Sequence, residues 1–245
     1  MILCGCHGFP AQFLTKHDPE FFGQKGEQNV AVTWESNLVK NGIRSSYAVA
    51  ASDHFFIGLS GNYFFRRNDS TRTRSVLHRS QLYNMRGWGV RPVIGFYTNI
   101  RDPGLYWEVF AGAGYQHAFY RIMDTRFHLL VSGTGNTFQA FGGTFLGWRF
   151  PIAEIGFDFA YEYNHFKNPL PAFSLYSDRL QDKVVLYYLD SDQNFLSSFY
   201  GAVRIKKIRL MMNAGWNTGY TGIFFRMGLK YRLADKKIHN PEIHI

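Results

Sequence analysis

The chain has 245 residues, enough for one large domain or two small ones, and 18% of them are aromatic, which excludes a disordered protein. Its mean hydropathy is only −0.22 and no run of about 18 apolar residues occurs, so helical membrane spans are excluded. The formal net charge of +9 is compatible with a nucleic-acid partner, but the aromatic side chains that would stack on bases fall on strand faces assigned below to lipid. We therefore expect no nucleic-acid partner.

The start of the chain, Met-Ile-Leu-Cys-Gly-Cys, resembles the end of a bacterial lipobox, whose cysteine is lipidated after cleavage. Leu3 precedes Cys6 by three positions and Gly5 by one, whereas Cys4 fits the pattern less well. A signal peptide needs roughly 7–15 apolar residues before this point, and they are missing. Two interpretations stay open: a truncated start with a lipidated Cys6, or an ordinary thiol. Residues 1–26 are then a lipobox-like start and a periplasmic leader.

Strict alternation of apolar and polar residues predicts β-strands through the rest of the chain. From Ile155 to Tyr163 the large apolar side chains share one face, and Asp158 and Glu162 share the other. The same pattern returns from Ile223 to Leu233. Ten segments read in this way: 27–36, 42–51, 54–66, 81–97, 104–120, 136–150, 153–165, 193–206, 207–217 and 221–233.

The connections between these strands are unequal in length. The short ones lie near Ser52, Asn99 to Pro103, Pro151 and Lys206, and the long ones are 67–80, 121–135 and 166–192. Short periplasmic turns, long extracellular loops and an even strand number are typical of outer-membrane barrels. We therefore expect an all-β fold: an antiparallel up-and-down transmembrane barrel at 27–233, a periplasmic tail at 234–245, and both termini in the periplasm.

The two strand faces fit a membrane barrel. The outward register would meet lipid and carries Val30, Val32, Trp34, Ile57, Leu59, Tyr63, Trp107, Val109, Phe157, Phe159, Leu210, Met212 and Trp216. The inward register carries Arg44, Arg91, Gln139, Arg209 and a predicted lumen charge network of Glu108, Asp158, Glu162, Arg204, Arg226 and Lys230. Pairing of opposite charges in the lumen would offset their desolvation.

Two features of these strands need a specific interpretation. Asp158 and Glu162 are an acid and base pair or, as we expect, members of a salt-bridge plug with Arg204 or Arg226. Pro92 donates no ladder hydrogen bond, which predicts a bulge or a different register in its strand.

Basic residues are concentrated in the first long loop. The segment holds Arg66, Arg67, Arg72, Arg74 and Arg79 against one aspartate. If the loop is extracellular, these guanidinium groups match the phosphates of lipopolysaccharide. A solvated loop, or one covered by a partner protein, is the alternative.

Other motifs predict no cofactor and no metal. The segment from Asp190 to Asn194 begins like a calcium loop, but Phe195 stands where that loop needs glycine. His239 and His244 flank Glu242 in the tail, where histidines are usually solvated. Nucleotide-binding and serine-hydrolase motifs are missing as well.

Part of the chain resembles a known group of proteins. Phe22 to Glu27 before a strand, followed by Tyr47 to Ala50, Asp53-His54 and Ile57 to Leu59, is similar to the opening of small outer-membrane β-barrel proteins, many of them lipoproteins, of the Bacteroides and Flavobacterium group. Gly228 to Leu233 is similar to the β-signal read by the barrel-assembly machinery, although it ends on Leu and a tail of twelve residues follows. The resemblance implies a fold, a location and that insertion partner, but no activity and no catalytic residues.

The function favoured by these observations is non-enzymatic: an accessory or structural barrel that works with other outer-membrane proteins. A barrel of about ten strands encloses little beyond its own side chains. A narrow pore or small-ligand carrier is the alternative, kept open by the lumen glycines at 87, 89, 112, 114 and 156. A lipid-modifying barrel enzyme and a soluble β-barrel are the remaining classes.

Overall fold

The structure is a computed structural model and contains strands, turns and short irregular segments. It describes residues 7–8, 17–37, 41–68, 82–98, 104–123, 129–167, 172–178, 181–187, 191–217 and 223–233. None of these residues belongs to a helix that is long and apolar enough to cross a membrane.

Thirteen strands occur in the described residues, in two sheets. A small antiparallel sheet contains β1 (His7–Gly8), β9 (Ala172–Asp178) and β10 (Gln181–Tyr187). The other ten strands form a closed barrel: β2 (Gln28–Asn37), β3 (Asn41–Ala50), β4 (Phe55–Asn68), β5 (Leu82–Tyr97), β6 (Gly104–Met123), β7 (Leu129–Arg149), β8 (Ala153–Lys167), β11 (Ser191–Ile205), β12 (Ile208–Asn217) and β13 (Ile223–Leu233).

The barrel closes between its first and last strands. β13 pairs with β2 from Phe224 opposite Asn37 to Leu233 opposite Gln28, and every other pair is also antiparallel. Closure removes the exposed sheet edges, so that backbone donors and acceptors are satisfied within the sheet, as a membrane requires. The predicted fold, a closed antiparallel barrel of ten strands, is confirmed.

The two ends of the barrel differ, as the connection lengths predict. At one end, called the turn end here, the connections are 51–54, 98–103, 150–152 and 206–207. The tightest is the two-residue turn at Lys206, whose positive φ of 55° follows the pairing of Ile205 with Ile208. The opposite end, called the loop end, carries the longer connections between β4 and β5 and between β8 and β11.

Two of the predicted loops are partly strand. β6 and β7 extend to Met123 and from Leu129, so most of the expected loop 121–135 continues their hairpin. The connection 166–192 contains the β9–β10 hairpin. Apolar alternation is weak in both segments, since strands that extend past the membrane do not need a lipid-facing side.

Alternate side chains point outward and inward around the barrel. The residues predicted on the outward register lie on the exposed face, for example Leu59 at 52% and Phe159 at 51%, and among them Val30 is half-buried. All five tryptophans are exposed outward. Trp107 and Trp148 lie near the turn end, and the other three lie nearer the loop end, the arrangement of the two aromatic girdles of a membrane barrel.

Phenylalanine rings fill the lumen beside its glycines. A Cβ on Gly87, Gly112 or Gly156 would overlap a neighbouring phenylalanine ring, and the ring beside Gly156 belongs to Phe145. Three of the five lumen glycines that suggested a pore are therefore covered by aromatic rings, and Gly89 and Gly114 lie against polar side chains such as Gln116 and Arg91.

Pro92 interrupts one ladder without shifting it. It faces Leu59 on β4 in the regular register. On the other side, pairing with β6 stops after Val90 opposite Tyr115 and resumes at Val93 opposite Gly112 in the same register. The bulge predicted at Pro92 is therefore wrong, and the missing N–H is accommodated by a local gap in the ladder.

Candidate functional site

The principal feature of the barrel interior is the segment that precedes β2. Residues 17–22, called the plug here, lie inside the lumen with all six residues buried. Residues 24–27 lie at the turn end, where Gly26 N donates to Ala50 O at 2.8 Å and Lys25 N donates to Asp53 Oδ1 at 3.0 Å. The interpretation of residues 1–26 as a lipobox-like start and a periplasmic leader is therefore wrong for the plug.

Asp18 anchors the N-terminal part of the plug. Its Oδ1 accepts a hydrogen bond from Arg226 Nη1 at 2.6 Å, and its Oδ2 lies 3.9 Å from Arg44 Nη1. Arg226 also pairs with Glu35 on the neighbouring strand β2. Because all four side chains are buried, this cluster holds the plug through charges shielded from water.

Glu20 anchors the middle of the plug. Lys230 Nζ donates to Glu20 Oε2 at 3.0 Å and to Pro19 O at 2.8 Å. The Glu20 carboxylate and carbonyl also accept from Asn29 Nδ2 at 2.9 Å, and the carbonyl accepts from Arg209. The plug backbone, which lacks a strand partner, is thus bonded by side chains of the wall.

Glu108 binds the plug from the opposite wall. Its carboxylate lies 2.7 Å from His17 Nε2 and accepts from Glu20 N at 2.9 Å and from Tyr106 Oη at 2.7 Å. A fully buried carboxylate with three partners stabilises the plug where neither lipid nor bulk water can bond it.

Two phenylalanines complete the plug. The Phe21 ring lies 4.7 Å from Tyr106 and 5.2 Å from Phe145, centroid to centroid, and Phe22 packs on Phe56. Phe21 has a positive φ of 51°, a conformation that costs a non-glycine residue about 1–3 kcal/mol. Arg149 offsets this strain by donating to the Phe21 carbonyl.

The charges of the wall and of the plug are complementary. Among the described lumen side chains, eight are basic and five are acidic on the barrel wall: Arg44, Arg91, Arg149, Arg204, Arg209, Arg226, Lys230 and Arg232 against Glu35, Glu108, Glu154, Asp158 and Glu162. The segment 17–27 brings three carboxylates into the same space: Asp18, Glu20 and Glu27. The segment 17–27, which includes the plug, therefore supplies the negative charge that the described wall lacks.

The predicted lumen network is divided into separate groups. Glu108, Arg226 and Lys230 all contact the plug. Glu162 pairs with Arg91 at 3.2 Å, and Asp158 accepts from Ser198 at 3.0 Å.

The two arginines predicted to pair with these carboxylates have described ion pairs with other acidic residues. Arg204 lies 3.9 Å from Glu154 and donates to Phe150 O at the turn end. The ion pairs seen for Arg226 are those with Asp18 and Glu35. A salt-bridge plug made by Arg204 or Arg226 with Asp158 and Glu162 stays a prediction, and the N-terminal segment 17–22 also lies in the lumen.

The other predicted site residues have fewer described features. Arg66 and Arg67 belong to β4, where their backbones face Met85 and Asn84. Arg72, Arg74 and Arg79 lie outside the described residues, as do Cys4, Cys6, the tail from 234 and most of the calcium-like segment. No cluster of three or more potential metal ligands occurs in the part of the chain that the structure describes.

The N-terminal chain has contacts at both ends of the barrel. β1 pairs with β9, with His7 opposite Ser174, and β9 belongs to the connection between β8 and β11 at the loop end. β13 ends at the turn end. The prediction that both termini lie on one side is therefore wrong for the described N-terminal strand.

Sequence reasoning missed the plug, although its residue types carried a signal. The stretch from His17 to Phe22 has two carboxylates and two phenylalanines and does not alternate as a strand does. Counting the lumen charges of the predicted strands would have shown an excess of arginine and lysine without enough acidic partners.

Comparisons with known proteins find only remote structural similarity. No family model and no curated protein matches the chain. Ail, the attachment invasion locus protein of Yersinia pestis, is 14% identical with a TM-score of 0.39, over 85% of this chain and 99% of that one.

Two further solved structures are similar to a comparable degree. The outer membrane protease OmpT from Escherichia coli is 11% identical with a TM-score of 0.46, over 85% of this chain and 94% of OmpT. The translocator domain of the autotransporter NalP from Neisseria meningitidis is 9% identical with a TM-score of 0.42, over 86% of this chain and 90% of that domain.

Proposed function

We propose that this chain is a non-enzymatic, plugged β-barrel of the bacterial outer membrane, which serves as an accessory or structural subunit of a larger outer-membrane assembly. The observation that carries the proposal is the burial of residues 17–22 in the lumen with their charges paired to the wall. A lumen filled in this way supports a closed barrel rather than the narrow pore or carrier.

The location follows from the apolar outer band, which needs lipid. The chain should fractionate with outer membranes and resist carbonate extraction, after insertion by the barrel-assembly machinery. Release as a monodisperse protein without detergent would overturn the membrane assignment.

Conductance tests the closed state directly. In planar bilayers the wild-type barrel should give no steady channel steps. Asp18→Asn combined with Glu20→Gln removes two anchors of the plug but leaves the excess of lumen cations. This variant should give discrete, anion-selective steps.

A matched control and two contrary results define this test. Asp53→Asn changes an exposed carboxylate at the turn end, outside the lumen, and should leave the barrel closed. Steady conductance of the wild type would favour the pore instead. Closed behaviour of both variants would mean that these ion pairs do not hold the plug.

The proposed subunit role depends on what the loop end displays. The β1–β9 pairing supports a surface built from the N-terminal chain and the β9–β10 hairpin together. With Cys4 and Cys6 changed to serine, a cysteine at His7 should react with an impermeant maleimide on intact cells. A cysteine at His7 that reacts only after the outer membrane is opened would place β1 on the other side.

The partner would be found by cross-linking. Photocross-linking from the position of His7 should capture one outer-membrane protein reproducibly, and the same probe at Lys206, on the turn end, should not. A chain that purifies alone from mild detergent, with no cross-link at either end, would contradict the subunit role.

Lipidation of Cys6 remains a prediction. Intact-mass measurement of the native protein should show an acylated N-terminus that Cys6→Ser abolishes and Cys4→Ser does not. Cys6 immediately precedes β1, so a lipid there would anchor the same end that β1 occupies.

A further inference from the structure

The outer face of the barrel is almost free of charge, with one local exception. Among the outward-facing strand side chains that the structure describes, none is acidic and four are basic or imidazole groups: Arg86, His117, His165 and Lys167. These four residues, called the basic rim here, all lie on β5, β6 and β8 toward the loop end. A single cluster on the described and otherwise uncharged part of this face indicates a local function, because isolated charges on a lipid-facing surface are costly.

The register of the ladder brings the rim together. Trp88 faces His117, His117 faces Asn136, and Asn136 faces Lys167, in one row across β5 to β8. On β5, Arg86 is the next outward-facing residue from Trp88 toward the loop end. With strands about 4.8 Å apart, the row spans about 14 Å of the outer surface.

Neighbouring side chains orient the rim. Asn136 Oδ1 accepts from Tyr115 Oη at 2.7 Å and lies 2.8 Å from His117 Nδ1. The Arg86 guanidinium lies 5.5 Å from the centroid of the Phe119 ring, a cation–π distance. The polar side chains of the rim are thus held against neighbouring aromatic rings.

The rim lies at the height of a membrane boundary. His117 follows Trp107, a tryptophan of the turn-end girdle, by ten residues on β6. Ten residues of strand extend about 33 Å, which at a tilt of about 45° is roughly 23 Å along the barrel axis. The apolar band of a membrane barrel is about 25 Å tall, so the rim falls where acyl chains end and headgroups begin.

We propose that the basic rim binds the phosphate groups of a phosphorylated glycolipid of the lipid A type, in the leaflet at the loop end. Arg86 and Lys167 supply two full positive charges, with the guanidinium suited to two phosphate oxygens, and the imidazole of His117 and the amide of Asn136 bond between them. The aromatic side chains on the turn-end side of the rim contact the acyl chains of the glycolipid. The backbones of Arg66 and Arg67 on β4 lie beside β5, because β4 pairs directly with β5.

This site is independent of the plug and of the subunit role. It requires only that the barrel lies in a membrane, so conductance results do not bear on it. An orientation with the loop end in the inner leaflet would expose the rim to phospholipid instead. The binding assay therefore compares the affinity for lipid A with the affinity for a phospholipid.

The test measures lipid retention by purified full-length protein in nanodiscs or detergent, using native mass spectrometry. The probes are diphosphorylated lipid A, monophosphorylated lipid A, phosphatidylglycerol and inorganic phosphate. The wild type should retain diphosphorylated lipid A most strongly, and retention should weaken as salt is raised. Arg86→Gln combined with Lys167→Gln should lower that affinity roughly 10- to 30-fold, since each basic group near an anionic membrane surface contributes on the order of 1 kcal/mol.

The matched control removes two charges from the other end. Lys206→Gln combined with Lys207→Gln changes exposed residues of the turn end and should leave lipid A retention unchanged. Unfolding of each variant on gels with and without heating checks that the barrel is intact.

Three results would overturn the proposal. Equal lipid A affinity of the rim variant and the wild type would remove the site. An equal loss in the turn-end control would show that only overall charge matters. Phosphatidylglycerol or inorganic phosphate bound as strongly as lipid A would exclude a glycolipid-specific site.

Discussion

The outer face and the lumen face of the same ten strands meet opposite requirements. On β8, Phe157 and Phe159 point outward and are exposed, whereas Asp158 and Glu162 point inward and are buried. Asp158 is bonded by Ser198, and Glu162 pairs with Arg91. Because neighbouring residues of a strand point to opposite sides, one segment of chain satisfies both environments.

The two faces therefore differ in how specific their contacts are. Lipid accepts any apolar side chain without a defined partner. The effect of a substitution on the outer face therefore depends mainly on the depth of that residue in the membrane. The lumen requires particular donors and acceptors, several of which come from the plug more than 200 residues away along the chain, as in the Asp18–Arg226 pair. A substitution in the lumen should therefore disturb the residue with which the original side chain pairs. A substitution on the outer face should instead change how favourably the side chain interacts with the bilayer.

The largest effect should come from Arg226 in the lumen. Arg226→Met leaves the buried carboxylates of Asp18 and Glu35 without this cation, which should lower the free energy of unfolding by about 3–5 kcal/mol. Urea titration in lipid vesicles, followed by tryptophan fluorescence, measures it. Met227→Leu, the outward neighbour, is the control and should stay within about 1.5 kcal/mol of wild type. Similar stabilities of the two variants would contradict a charge-anchored plug.

The next effect lies on the outer face. Phe159→Arg should destabilise the barrel by roughly 2–4 kcal/mol if the position is near the bilayer midplane, since a charge there is exposed to lipid. Phe159→Leu keeps an apolar group and serves as the control in the same urea titration. Full tolerance of arginine would mean that this face does not contact acyl chains.

Two glycines on adjacent strands compare the faces with one kind of substitution. A Cβ at Gly156 would lie 2.7 Å from Leu146 O and overlap the Phe145 ring, so Gly156→Ala should cost about 1–3 kcal/mol. A Cβ at Gly201, on the outer face of β11, would meet nothing within 4 Å. Gly201→Ala should be neutral or stabilising by about 0.4–1 kcal/mol, measured by the same titration. Equal costs at both positions would indicate that the lumen can yield to added volume.

The smallest effect concerns a hydrogen bond on the outer face. Trp107 Nε1 donates to Thr144 Oγ1 at 2.8 Å. Trp107→Phe keeps the ring and removes the donor, which should cost about 0.5–1.5 kcal/mol. In a Thr144→Val background the same change should have little further effect, because the acceptor is gone. A full additional loss in that background would show that the indole acts through the interface rather than through this bond.

The sequence by itself determined the barrel and its two faces. Alternation from Ile155 to Tyr163 and from Ile223 to Leu233 depends only on the period of a strand, so the inward and outward registers follow without knowledge of the partners. Even the difference between the two ends was readable from connection lengths, except where hairpins such as β6–β7 extend beyond the apolar band.

Only the tertiary structure decided what fills the lumen. Asp18 and Arg226 are 208 positions apart, and the residue types of the segment before the first strand do not by themselves show which wall residues it will meet inside the barrel. The grouping of Arg86, His117 and Lys167 in the basic rim likewise depends on the register between four strands. Periodicity specifies the direction of each side chain, but long-range pairing specifies its neighbour, because the neighbour is chosen by barrel closure and by the balance of charge inside it.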